Sequence, residues 1–175
     1  MQAKTKEETV SMPCKSETRA LALSGLRDAV PVGLGYLAVS FSLGIVCKNA
    51  GMNVWESALL SLLNNASAGE YAALTVIAAR ASLWEMALLT LIANARYLLM
   101  SCALSQRLST AQSFIHRLAM AFAVTDELFG IAISRPGVLN PYYYYGGMAV
   151  AIPGWSIGTA CGIIAGAALP ERIVL

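Results

Sequence analysis

The chain has 175 residues, of which 57% are hydrophobic and only 13% are charged. A soluble domain carries about 25% charged residues, so a water-soluble globule is excluded and a polytopic membrane protein is implied. The net charge of +2 says little as a total, but Lys4, Lys6, Lys15, Arg19 and Arg27 all precede the first long apolar run. That bias favours a cytoplasmic N-terminus.

Residues 1–24 read as a polar tail, with no apolar stripe up to about Arg19 and no secretory signal. Residues 25–175 read as one transmembrane domain. Its first span is 29–47, 19 uncharged residues in which Pro31 suits a first helical turn and Gly33, Gly35 and Gly44 suit close packing. After a short loop, Trp55 opens an apolar run to Ala79. This is long enough to cross a bilayer, which takes about 20 residues. Its centre is interrupted by Asn64-Asn65-Ala66-Ser67-Ala68-Gly69-Glu70-Tyr71. Ser67-Ala68-Gly69-Glu70 has the Ser-x-x-Glu form of a capping box. One helix is therefore expected to stop near Asn65 and another to start at Ser67, with free N–H groups and a positive dipole end at membrane depth. Breaks of this kind form substrate sites in secondary transporters. A kink satisfied by neighbouring helices has the same sequence.

Trp84 opens the next run, 86–106, which carries one charge, Arg96, near its middle. Trp at span starts suits the interfacial belt. A polar connection, 108–117, holds the single histidine, His116, and a shorter run, 118–134, is interrupted by Thr125-Asp126-Glu127. After Arg135-Pro136-Gly137 the chain is uncharged to Pro170. Its Tyr142-Tyr143-Tyr144-Tyr145 block reads as an interfacial girdle. Gly154, Gly158, Gly162 and Gly166 follow at four-residue spacing and line one helix face, a packing seam expected to reject Leu and to tolerate Ala much better. Cys14, Cys47, Cys102 and Cys161 have no CxxC spacing and read as small buried hydrophobes rather than disulfides or metal ligands. Ile173-Val174-Leu175 reads as the opening of another apolar run, so the chain is expected to be a short version or a fragment of something longer.

A charge at the centre of a spanning helix costs about 2.5–3.5 kcal/mol on insertion scales, so it needs a partner. Glu70, Arg96, Asp126 and Glu127 are the candidates. On a continuous helix Arg96 lies roughly opposite Asn94, which leaves Asp126 or Glu127 as its economical partner. Three consecutive polar residues cannot all point one way, so either the helix breaks there or one carboxylate faces water. A structural ion pair and a proton or ammonium site both fit. There is no Gly-x-Ser-x-Gly, no His-Glu-x-x-His and no nucleotide-binding glycine loop, so neither an enzyme nor direct ATP drive is expected. The implied fold is an all-α polytopic bundle with a broken or re-entrant helix pair near Asn64 and Gly69. If 55–79 crosses once, seven Lys and Arg outside the spans lie inside and four outside. If it is re-entrant the split is eight to three, with Arg107, Arg117 and Arg172 joining the N-terminal five and Lys48, Arg80 and Arg135 opposite. The positive-inside rule leans to the re-entrant form.

Four motifs then line up with a known family. Asn65-Ala66-Ser67-Ala68-Gly69-Glu70-Tyr71-Ala72-Ala73, Asn94-Ala95-Arg96-Tyr97-Leu98-Leu99-Met100-Ser101, Thr125-Asp126-Glu127-Leu128-Phe129 and Ile152-Pro153-Gly154-Trp155-Ser156-Ile157-Gly158-Thr159 resemble the AzlC family in order and spacing. These are large subunits of bacterial branched-chain amino acid exporters. The resemblance implies a multi-pass protein of the bacterial cytoplasmic membrane that exports branched-chain or methionine-like amino acids, driven by protons, with a small AzlD-type membrane subunit. It implies no cofactor and no nucleic acid. Members commonly carry Gln where this chain has Glu70, and the chain is expected to stop before the family's last spans. Candidate substrate-binding residues are Asn64, Asn65, Ser67, Glu70 and Asn94. The amino acid carboxylate could sit at the Ser67 helix start and the ammonium near Glu70 or Asp126. Arg96, Asp126 and Glu127 form the candidate ion pair or proton relay. The other reading is a non-transporting subunit or pore whose polar breaks and glycine seam serve assembly.

Overall fold

A computed structural model describes residues 15–64, 67–80 and 82–168, and the regular elements among them are all α-helices. They are α1 (Lys15–Asn49), α2 (Val54–Asn64), α3 (Ser67–Ala78), α4 (Leu83–Asn94), α5 (Arg96–Gln106), α6 (Phe114–Phe122), α7 (Asp126–Ile133) and α8 (Pro141–Ala168). By length and apolarity α1 and α8 can each cross a membrane, and α4 with α5, taken together as one helix bent by 44°, is long and apolar enough for a third crossing. The all-α transmembrane bundle is thus present.

The first span differs from the expected 29–47. With 35 residues, α1 starts at Lys15, so residues 15–24 of the expected tail are helical and Pro31 lies inside the helix. A helix of that length is about 50 Å long, against a hydrocarbon core of about 30 Å. Its charged early turns therefore project beyond the apolar layer. Residues 1–14 lie outside the described residues.

Helices α1 and α8 run parallel in close contact. Gly25 meets Tyr143, Gly33 meets Val150, and Gly44 meets Thr159 and Gly162. The glycine seam exists and is tighter than a Leu-against-Ala distinction allows. A Cβ on Gly25, Gly44, Gly146 or Gly162 would overlap backbone atoms of the facing helix, whereas one on Gly166 would make ordinary contact at 3.5 Å. Even Ala is excluded at the tight positions.

The short helices form two hairpins. Residues 118–134, expected to cross, instead enter and return from one end. Arg117 at the start of α6 donates to Ser105 Oγ and the Ser109 carbonyl, each at 2.9 Å. Beyond α7, Leu139 N donates to the Arg107 carbonyl at 2.8 Å, and Arg107 also reaches the Arg135 carbonyl. Arg135 in turn pairs with Asp28 at 3.6 Å and reaches Ser24 on α1. Both ends of the α6–α7 pair therefore sit where α1 starts and α5 ends. With 9 and 8 residues, neither helix can span about 30 Å. The break at 123–125 is the tip.

The α2–α3 pair enters from the other end. Helix α2 begins just after α1 stops at Gly51, whose φ of 82° suits a helix terminus. Helix α3 packs along α4, with Gly69 against Asn94 at the end of α4. Since α4 continues through α5 to the basic end, α3 must run back to the end it came from. This is the re-entrant arrangement expected for 55–79. Both α2 and α4 open on capping boxes with a Trp inside: Asn53 with Glu56, and Ser82 with Glu85. Trp55 and Trp84 stand 83% and 79% exposed, as one interfacial belt would place them.

The order of elements is thus a crossing helix and a hairpin from the far end, then a crossing pair and a hairpin from the opposite end, then α8. This is the pattern of an inverted repeat. Six described cations, Lys15, Arg19, Arg27, Arg107, Arg117 and Arg135, lie at the end where α1 starts, with Lys48 and Arg80 at the other and Arg96 between. Arg135 is therefore on the N-terminal side, not opposite it.

Three smaller expectations are corrected. Tyr143 and Tyr144 are buried rather than girdle residues, donating to Asp28 at 2.8 Å and the Ala123 carbonyl at 3.0 Å. His116 is on α6, with Nδ1 2.6 Å from Tyr145 Oη. Cys47 is buried, but Cys102 and Cys161 are exposed on the outer surface; Cys14 lies outside the described residues.

Candidate functional site

Both hairpin tips and the break at Ala95 fall at the same depth. The start of α3 (Ser67), of α5 (Arg96) and of α7 (Asp126) converge on one cavity of about 170 Å³. It is lined also by Tyr36 and Val39 of α1, Tyr97, Thr125, Glu127, and Trp155 of α8. A helix start presents unpaired N–H groups and a partial positive charge.

Arg96 does not sit in a continuous span, as expected, but opens α5 after the bend. Its Nη1 lies 2.8 Å from Asp126 Oδ2, and the two side chains remain 49% and 44% exposed. Asp126 is one of the two partners that the sequence left open for Arg96. The three residues 125–127 resolve their crowding through a helix break. Thr125 caps α7 by accepting from Leu128 N at 3.4 Å, Asp126 turns to Arg96, and Glu127 accepts from Tyr36 Oη at 2.6 Å. Tyr36 Oη is also 2.6 Å from Thr125 Oγ1, which ties the tip of the second hairpin to α1.

Of the expected substrate residues, Ser67 lines the cavity while Asn64, Glu70 and Asn94 do not, and Asn65 lies outside the described residues. Asn64 and Asn94 flank Gly69, where a Cβ would come within 3.0 Å of Asn64 Oδ1 and 2.9 Å of Asn94 Nδ2. Glycine there lets the ends of α2 and α4 close on α3. Asn94 Oδ1 is buried without a hydrogen-bond partner. Glu70 is fully buried behind Trp155, whose Nε1 donates to its Oε2 at 2.8 Å. It therefore does not close the expected capping box with Ser67.

Tyr36 and Trp155 were missed as site residues. Trp155 lies in one of the recognised motifs and far from either span end, where an indole N–H must find a buried acceptor. That was a usable signal pointing to Glu70. Tyr36 gave none, being one aromatic in an apolar run.

The model of the family described as AzlC protein matches this chain over residues 31–169. The chain is similar to an "uncharacterized membrane protein" of Archaeoglobus fulgidus, 28% identical over 150 residues covering 86% of this chain and 65% of that one. It is also similar to the "inner membrane protein YgaZ" of Escherichia coli, 27% identical over 154 residues covering 86% and 63%. It thus spans just under two thirds of the length of these relatives. No solved structure gives a significant match. With the family match running from α1 through α8 and both relatives being membrane proteins, this chain belongs to the AzlC family.

Proposed function

We propose that the chain is the transport subunit of a secondary transporter for branched-chain amino acids, with the cavity between the two hairpin tips as its substrate site. The observation that carries this is the convergence of three helix starts, a half-exposed Arg96–Asp126 pair and an aromatic wall on one cavity. At about 170 Å³ it is smaller than the roughly 300–1,000 Å³ of drug-sized pockets, which suits a small solute. A zwitterion matches its charges. The carboxylate takes Arg96 and the start of α3 at Ser67, the ammonium takes Asp126 and Glu127, and an apolar side chain lies against Val39 and Trp155. In the empty site Arg96 and Asp126 neutralise each other, and the two charges of the substrate replace each partner in turn.

The same reading makes this a transporter rather than an enzyme, working with a small AzlD-type subunit and coupled to protons. It places the protein in the bacterial cytoplasmic membrane, with the six-cation end cytoplasmic by the positive-inside rule. The test is counterflow of labelled leucine in proteoliposomes, with and without a co-expressed small subunit. Exchange that is lost in Arg96→Ala supports the reading. A reconstituted complex that exchanges no branched-chain amino acid overturns it.

A further inference from the structure

We propose that Glu70 is the site where the coupled proton binds and leaves, and that Trp155 passes its state to the substrate cavity; this rests on the transport reading above. The two hairpins place their carboxylates in opposite surroundings. Asp126 has Arg96 at 2.8 Å and water access. Glu70 is 0% exposed; its Oε2 accepts from the Trp155 indole at 2.8 Å, the Ser61 hydroxyl is its other polar neighbour, and Oε1 is buried without a close hydrogen-bond partner.

Among the described residues, the groups that face Glu70 offer no cation. Helix α1 brings the Cys47 thiol, α2 brings Ser57 and Ser61, α8 brings Trp155 and Thr159, and α4 reaches that depth with Asn94 beside Gly69. Beyond the indole lie Tyr36 and Glu127. A carboxylate held this way must be neutralised by a proton or a bound cation. The group bonded to its Oε2, the indole N–H, is a donor with no lone pair to offer a cation, so the proton is the simpler occupant.

A route for it is present. Ser57 and Ser61 lie four residues apart on one face of α2, both 0% exposed, and Ser57 Oγ is without a partner. With the Cys47 thiol beside Ser57, they lead from the first turns of α2, at the end opposite the six cations, to Glu70. The proton adds to the carboxylate to give the neutral acid, and its departure restores the carboxylate; nothing else is consumed. The ionised form holds the indole N–H in a charge-assisted bond, and the acid holds it less strongly. Trp155 packs edge-on against Tyr36 at 5.2 Å between ring centres and lines the cavity. Loosening it changes the wall against which the substrate binds.

The complex is reconstituted with pyranine inside the vesicles, and leucine counterflow and leucine-driven proton movement are measured together. Glu70→Gln is expected to keep counterflow and lose proton movement, whereas Glu70→Asp keeps both. Proton movement that persists in Glu70→Gln overturns the proposal, as does coupling to Na⁺ in place of protons. Wild-type counterflow failing altogether strikes the transport reading instead. Glu70 is then read by infrared spectroscopy of the wild type. A carboxylic acid C=O band that changes with pH and is absent in Glu70→Gln supports the proton site, and a missing or pH-invariant band overturns it.

Discussion

Helices α1 and α8 are long, continuous and pressed backbone to backbone, with glycine wherever they approach most closely. The hairpins opposite are broken at every polar motif and leave a cavity between their tips. In lipid, exposed backbone polar groups are tolerated only where they line protein or water. The seam therefore holds position while the broken helices spend their free N–H groups on a site. The contrast also predicts which substitutions unfold the chain and which only disable it.

The largest effects belong to the seam. Gly162→Leu is expected to abolish accumulation of folded protein. Gly162→Ala should also be costly, by about 1–3 kcal/mol as overpacking generally is, because its Cβ would meet the Phe41 carbonyl. Gly166→Ala should be neutral, its nearest neighbour being 3.5 Å away. Thermal melting monitored by size-exclusion chromatography checks all three. Equal tolerance of Ala at Gly162 and Gly166 would mean that the helices do not touch as described.

Next comes the ion pair. Because Arg96 and Asp126 are about half exposed, losing the pair should cost at most about 1 kcal/mol of stability. Arg96→Ala should nevertheless lose nearly all leucine counterflow, and Arg96→Lys part of it. The double variant Arg96→Ala with Asp126→Ala should be less impaired than additivity predicts, whereas pairing Arg96→Ala with Glu127→Ala should be additive. Additivity at Asp126 as well would remove the pair from the mechanism.

The seam was legible because its signal is periodic. Four glycines at four-residue spacing admit few readings, and only the closeness of approach was underestimated. The Arg96–Asp126 pair was legible because an intramembrane charge needs a partner and few were on offer. The second hairpin was not. Residues 118–134 have a length near that of a short span, and only the contacts of Arg107, Arg117 and Arg135 with one another's segments show that the chain returns. Depth was equally hidden. Glu70 and Ser67 lie three residues apart on one helix, yet one is sealed behind Trp155 and the other opens on the cavity.

The smallest effect is expected where the two regions join. Tyr36 belongs to the continuous helix α1, but its hydroxyl serves the broken pair by bonding Thr125 and Glu127, both at 2.6 Å. In Tyr36→Phe the ring still packs against Trp155, and Thr125 still caps α7 through Leu128 N. Glu127 loses its donor but is exposed toward the cavity, so water can replace the bond. The net cost should then be about 1 kcal/mol, the usual value of one hydrogen bond, which corresponds to roughly five-fold in an equilibrium constant. If Tyr36 orients Glu127 for the substrate ammonium, that loss appears in leucine affinity during counterflow with melting temperature almost unchanged. A lowered melting temperature with unaltered leucine affinity would instead assign the hydroxyl to holding the hairpin against α1.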